Sequence, residues 1–147
     1  MDFEKFLELN ATDHKGRTLH DMWAFSDSQI EQIHDFIQLV FPLNKPSRSN
    51  FNGPYLDNDS ATTRIRGSQI AKDNLVKSSH WFLSFLDRNH QWQNRHNHNQ
   101  LRVTRMIESL RLLVSDDQAE RCKSTVFRMI LDKNLINETT LVFWGKA

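Results

Sequence analysis

Cysteine, glycine and proline are scarce in this chain: one, four and three residues among 147. The single cysteine, Cys122, excludes a disulfide within the chain and fits a reducing compartment, so we expect a cytoplasmic protein. Few glycines and prolines leave little room for the tight turns that join strands, and alternating apolar and polar runs are missing as well. The sequence therefore predicts an all-α fold.

Long apolar runs and a strong net charge are missing too. No stretch approaches the ~18 apolar residues of a membrane span, and the first residues lack the apolar run of a signal peptide. The net charge of +1 gives no overall attraction to nucleic acid or to a membrane surface. No glycine-rich phosphate loop, nucleophile elbow or HExxH helix is present. We therefore expect no transmembrane segment, no cofactor and no catalytic motif.

Large apolar side chains at helical spacing are what the chain does contain. Ten phenylalanines and four tryptophans allow a domain of this length to close its own core. The broadest stripe lies in residues 99–114 and consists of Val103, Met106, Ile107, Leu110, Leu113 and Val114. Leu101 and Leu112 lie on roughly the opposite side, so this helix should be covered on both sides. We predict a single compact domain, residues 1–147, of six to eight helices around this central helix.

Capping and spacing signals predict the surrounding helices. Ser26 and Gln29 form a capping box, and Pro42 ends the helix that starts there. Ser115 and Asn137 are further predicted caps. The predicted helices cover residues 3–9, 19–23, 26–41, 59–66 and 69–87, with two more after residues 115 and 137.

All three prolines fall in residues 42–58. Phe51, Tyr55 and Leu56 give this stretch apolar anchors, so the sequence predicts an ordered loop rather than a linker.

The densest polar cluster lies in residues 88–107, which contain no acidic residue. Seven positive or protonatable groups fall within eighteen positions: Arg88, His90, Arg95, His96, His98, Arg102 and Arg105. Basic groups near an aromatic ring suit a phosphate or nucleic-acid site, because the charges hold phosphates and the ring stacks on a base. A helix also opens here, and its free N–H groups attract anions. The candidate ligand-binding residues are Trp92, Arg95, His96, His98, Arg102 and Arg105.

A second interpretation of the same segment needs no ligand. Arg102 and Arg105 would then pair with acids on neighbouring helices, such as Glu31 or Asp35. Asn97 and Asn99 would cap the helix. The positive groups repel one another unless internal acids or a bound anion neutralise them. If the segment is a functional surface, residues 88–102 should form it together with the loop 42–58.

Metal and catalytic roles are weaker hypotheses. His96 and His98 with a further histidine resemble a zinc ligand set, but no cysteine lies nearby. His34 falls on an apolar stripe and is predicted to be a hydrogen-bonded core histidine. Cys122 is predicted to be a small buried hydrophobe. We predict neither catalytic residues nor a metal centre.

Three stretches occur in a distinctive order. The first is Gly16-Arg-Thr-Leu19, followed by Trp23. The second is His34-Asp-Phe-Ile-Gln38 running into Phe41-Pro-Leu43, and the third is Asn97-His-Asn-Gln-Leu-Arg-Val-Thr-Arg105 leading to Ser109-Leu110. Together they resemble the conserved N-terminal region of the opioid growth factor receptor family, over roughly residues 13–131.

The resemblance implies a helical domain and a non-enzymatic, receptor-like binding role. The family's animal namesake is described as an enkephalin receptor in growth control, associated with the nuclear envelope and nucleus. The family also includes short bacterial members, which the compact form of this chain looks more like, and the chain has no lysine-rich nuclear address. The resemblance thus implies membrane association, whereas for this chain we expect a cytoplasmic location rather than a nuclear one.

The predicted function is thus a binding module whose partner is unknown, with an anionic ligand or a peptide as candidates. One alternative is a protein that binds phosphate or another anion through residues 88–105, nucleic acid being less favoured. The other is an uncharacterised enzyme that depends on His34 or on the histidines near residue 96.

Overall fold

Helices account for all the regular structure in residues 1–48 and 52–147, the part of the chain that the computed structural model describes. Their order is α1 (Phe3–Leu7), α2 (Leu19–Trp23), α3 (Asp27–Gln32), α4 (Ile37–Val40), α5 (Asp59–Arg66), α6 (Gln69–Arg88), α7 (His98–Leu113), α8 (Asp116–Met129) and α9 (Glu138–Lys146). Two 3-10 turns lie at His90–Trp92 and Lys133–Leu135. The all-α prediction is confirmed, although these residues form more helices than the six to eight expected.

Side-chain caps set the start of most helices. The predicted Ser26, Ser115 and Asn137 each accept a hydrogen bond from the third backbone N–H of the helix that follows. Such a cap stabilises a helix by about 1 kcal/mol, because it satisfies a donor with no partner inside the helix. Thr18 forms an additional capping box with Asp21 at α2.

The central position of α7 is confirmed. This helix packs against α5, α6, α8 and α9, and one hydrophobic core contains side chains from every helix of the described residues. Five of the six residues in the predicted stripe are buried, and Val114 is half-buried. The prediction that α7 is covered on both sides is wrong at its first turn, where Leu101 is 61% exposed.

The helix predicted for residues 26–41 breaks into α3 and α4. Ile33, the C-cap of α3, has extended backbone angles, φ −84° and ψ 128°. The guanidinium of Arg102 accounts for the break, since it occupies the carbonyl oxygens of Ile30 and Ile33. His34 lies in the break and is exposed, so its prediction as a core histidine is wrong.

The loop 42–58 is anchored at both ends. The backbone N–H of Leu56 donates to the carbonyl of Leu43 at 2.9 Å, and Leu56 is buried. The hydroxyl of Ser109 on α7 donates to the carbonyl of Pro42 at 2.8 Å. Of the other two predicted anchors, Tyr55 is half-buried and Phe51 lies outside the described residues. These contacts hold the start of the loop beside α7.

Candidate functional site

A cavity of about 350 Å³ separates the start of the loop from the N-terminal half of α7. We call it the arginine cavity. Its lining consists of Leu43, Lys45, Pro46, Ser47 and Arg48 from the loop, His98, Leu101, Arg102, Thr104, Arg105 and Glu108 from α7, and His34, Ile37 and Phe143. The two segments combined in the surface hypothesis therefore share one cavity.

Arg102 is buried, and its guanidinium donates hydrogen bonds to three protein oxygens. Its Nη1 donates to the carbonyl of Ile30 at 2.6 Å and to Oδ1 of Asn99 at 3.2 Å, and its Nη2 donates to the carbonyl of Ile33 at 2.8 Å. Burial lowers the pKa of Arg102 to about 10, although the charge of Glu31 acts in the opposite direction. The side chain remains a cation at neutral pH.

Arg105 is less completely bonded. Its Nε donates to the carbonyl of Phe41 at 2.9 Å, but its buried Nη2 has no hydrogen-bond partner. A buried donor left without a partner costs about 1–3 kcal/mol. Burial lowers the pKa of Arg105 to about 10 against the opposing charge of Glu108. Arg105 lines the cavity, and its Nη2 is a buried cationic donor without a partner among the described residues.

The predicted pairing of these two arginines with acids is wrong for the described residues. Glu31 lies 3.1 Å from Nε2 of His98, and Glu108 pairs with Lys45 at 3.0 Å. Their carbonyl partners supply dipoles but no net charge, and in the described residues neither arginine has a carboxylate at ion-pair distance. The capping part of that interpretation is confirmed for Asn97, which accepts from the backbone N–H of Asn99 and caps α7. It is wrong for Asn99, whose side chain donates to Glu31 and accepts from Arg102.

His98 lies at the rim of the arginine cavity. Its ring is 5.2 Å from that of His34, edge to face, and it faces the carboxylate of Glu31. Burial lowers the pKa of His98, Glu31 raises it, and the charges of Arg102 and His34 lower it further, with a net decrease. The imidazole is therefore mostly neutral at pH 7.

A second cavity, the adjoining cavity, borders the first. The two share His98, Leu101, Thr104 and Phe143. Phe143 of α9 is 51% exposed, so two large apolar side chains, Leu101 and Phe143, stand uncovered where the cavities meet. His96 and Thr140 also line the adjoining cavity.

The other candidate residues lie elsewhere. Trp92 is fully buried, donates from Nε1 to the carbonyl of Leu86 at 2.9 Å, and lies beside Trp144. It therefore lacks the exposed stacking face that the sequence suggested. Arg95 is exposed and lines neither cavity. Arg88 belongs to α6 and forms a bidentate pair with Asp27.

Three of the six candidates thus meet at the arginine cavity: His98, Arg102 and Arg105. His96 lies at the adjoining cavity only. Sequence reasoning missed Lys45, Glu108 and Phe143, and it treated Leu101 as core. The one available signal was the position of Leu101 outside the main apolar stripe, since a leucine there must be either covered or exposed.

The described residues contain no group of three or more His, Cys, Asp or Glu side chains that could hold a metal ion. Cys122 is buried on α8, as predicted, and burial raises the pKa of its thiol to about 12. A protonated thiol in the core is not available as a nucleophile.

The first and the third of the stretches that carry the family resemblance each contact the second or its flanks. Arg17 of the first donates to Asp35 of the second at 2.9 Å, and Arg102 and Ser109 of the third bind backbone carbonyls around the second. Comparison of the chain with models of known families, with characterised proteins and with solved structures finds no match. In the described residues, every helix is too short or too polar to cross a membrane.

Proposed function

We propose that the chain is a non-enzymatic binding module whose ligand places an anionic group against Arg105 in the arginine cavity. The observation that carries this proposal is the buried Nη2 of Arg105, a cationic donor without a partner. An anion there would satisfy the donor and neutralise a desolvated charge at the same time. Charge-assisted hydrogen bonds of this kind are about twice as strong as neutral ones.

The surroundings of Arg105 favour an anion further. Arg102 lies one turn away, and its guanidinium donates to carbonyl oxygens rather than to a carboxylate. Both arginines lie in the N-terminal half of α7. The first turn of α7 contains no acid. Attraction in such a partly desolvated site is stronger than on the open surface.

The resemblance to the opioid growth factor receptor conserved region supports the same class of protein, a receptor-like binding module. Enkephalin binding by this chain does not follow from it, since the resemblance supplies no ligand-contact residues. We extend the proposal to a cytoplasmic location, because the one cysteine is a free, buried thiol that suits a reducing compartment.

The test is a titration with sodium acetate and with inorganic phosphate, followed by the 15N resonances of the backbone and of the arginine Nε–H groups. We expect saturable shifts at Arg105 and at neighbouring residues of α7. Arg105→Met should abolish the saturable shifts, whereas Arg95→Gln, at an exposed arginine outside both cavities, should leave them unchanged. Linear, non-saturating shifts, or equal shifts in the two variants, would contradict the proposal. Arg105→Lys provides a second variant if the methionine variant does not fold.

A further inference from the structure

We infer that the ligand of this site is a small monocarboxylate with an apolar tail that runs from the arginine cavity over Leu101 and Phe143. The inference rests on the proposed function and adds the chemical class of the ligand. Three observations carry it: the charge available at the site, the nature of its walls and its size.

The available charge fits a single negative group. Both Nη atoms of Arg102 already donate to carbonyls, and Lys45 is engaged by Glu108. Arg48 also lines the cavity, but it is exposed, so water and salt screen its charge. Among the described residues, the buried side-chain donor without a partner is Nη2 of Arg105. The carboxylate of Glu108 lines the same cavity and would repel a dianion more strongly than a monoanion. A carboxylate, with one charge and two acceptor oxygens, therefore fits better than a phosphate dianion.

The walls favour an apolar tail. Ile37 and Leu43 line the arginine cavity and are themselves buried. Leu101 and Phe143, both more than half exposed, border both cavities. A single exposed leucine needs no explanation, but two large apolar side chains at the junction of two cavities form a surface that a hydrocarbon chain would cover.

The size favours a small molecule. Ligand pockets span roughly 300–1,000 Å³, and the arginine cavity, at about 350 Å³, is at the lower end of that range. A carboxylate head with a short chain fills such a space, and a longer chain continues along the shared wall into the adjoining cavity.

The experiment is a calorimetric titration at pH 8 and constant ionic strength with acetate, butanoate, hexanoate and octanoate. We expect the affinity to rise by up to about fourfold for each methylene group that becomes buried. Octyl phosphate, a dianion at this pH, should bind more weakly than octanoate. Octanol, which has the tail but no charge, should bind more weakly as well.

Two exposed leucines provide a matched pair of variants. Leu101→Ser should weaken octanoate binding about tenfold, a larger change than in acetate binding. Leu131→Ser, at a leucine that is 75% exposed and lines neither cavity, should change neither. Because both side chains are mostly exposed, neither substitution should disturb the core.

These experiments distinguish a failure of the inferred ligand class from a failure of the proposed function. Equal affinity for acetate and octanoate, lost in Arg105→Met, would overturn the apolar tail and leave the anion site standing. Tighter binding of octyl phosphate than of octanoate would overturn the monocarboxylate. Equal binding of octanol and octanoate, unaffected by Arg105→Met, would overturn both this inference and the proposed function.

Discussion

Arg17 and Arg105 are both largely buried, but Arg17 is paired with carboxylates and Arg105 is not. Arg17 donates twice to Oδ2 of Asp13, at 2.9 and 2.6 Å, and once to Oδ1 of Asp35 at 2.9 Å. Burial lowers the pKa of Arg17, but bonds to these carboxylates raise it more. Arg105 has a carbonyl partner and a lowered pKa. Burial alone therefore does not distinguish the two arginines, whereas the charge of their partners does.

The largest effect is expected at Arg17. Arg17→Met would leave Asp13, whose side chain is fully buried, without a cation. Breaking a buried ion pair by removing one partner costs about 3–5 kcal/mol, so we expect a loss of about that size in urea unfolding. A loss below about 1 kcal/mol would show that solvent reaches Asp13 and that the contrast with Arg105 is false.

A repair variant sharpens this prediction. Oδ1 of Asp13 also accepts from the backbone N–H groups of Lys15 and Arg17, at 3.1 and 2.8 Å. An asparagine retains that oxygen and removes the charge. We therefore expect the double variant Asp13→Asn, Arg17→Met to unfold at a higher urea concentration than Arg17→Met alone. Strictly additive losses would indicate that the two residues are not coupled.

A smaller loss of unfolding free energy is expected when Arg102 is replaced. Arg102→Met would leave the carbonyls of Ile30 and Ile33 without their guanidinium partner but would strand no carboxylate. Each buried acceptor that loses its partner costs about 1–3 kcal/mol, and the loss of a desolvated charge offsets part of this. We expect a destabilisation of about 2 kcal/mol in the same urea experiment. A value equal to that of Arg17→Met would remove the distinction between carbonyl and carboxylate partners.

Arg105 should contribute least to stability. Arg105→Met removes one hydrogen bond, but it also removes a buried donor without a partner. We expect the free energy of unfolding to change by less than about 1 kcal/mol, while anion binding is lost. Replacement of Arg105 would therefore separate binding from stability. A destabilisation as large as that of Arg102→Met would assign Arg105 to the fold.

The smallest effect concerns pH and His98. Because the pKa of His98 is lowered in the fold, the unfolded chain takes up this proton first, near pH 6.5. Stability should therefore fall slightly as the pH decreases below about 6.5, and anion affinity should rise as His98 becomes charged. His98→Gln should reduce both changes, and His96→Gln provides the control. Identical pH profiles for the two variants would contradict this assignment.

Local signals predicted the helices well, because a cap or an apolar stripe needs only residues within one or two turns. Ser26 and Asn137 begin helices as expected, and α7 has the predicted core position. The break after α3 was not predictable in this way. Its cause, Arg102, lies 72 positions from Ile30, and nothing in residues 26–41 marks the carbonyls that the arginine will bind.

The site was predictable in part for the same reason. The dense basic segment indicated Arg102 and Arg105. Their backbone partners were not predictable, because every residue has a carbonyl group and the sequence does not mark the ones that an arginine binds. Acidic side chains are the partners that a sequence does show. Trp92 is interior because it packs against Trp144 of α9. The spacing of residues 88–99 carries no information about that contact.

The short connection between α7 and α8 has a consequence for how the molecule folds. Two residues, Val114 and Ser115, join these helices, so their pairing costs little loop-closure entropy. The contact of Arg102 with Ile30 must close a loop of about seventy residues. We expect the helical hairpin to be organised in the folding transition state and the arginine contact to form after it. Substitution of Arg102 would then act mainly on the unfolding rate, and this side chain would set the lifetime of the native state rather than the speed of its formation.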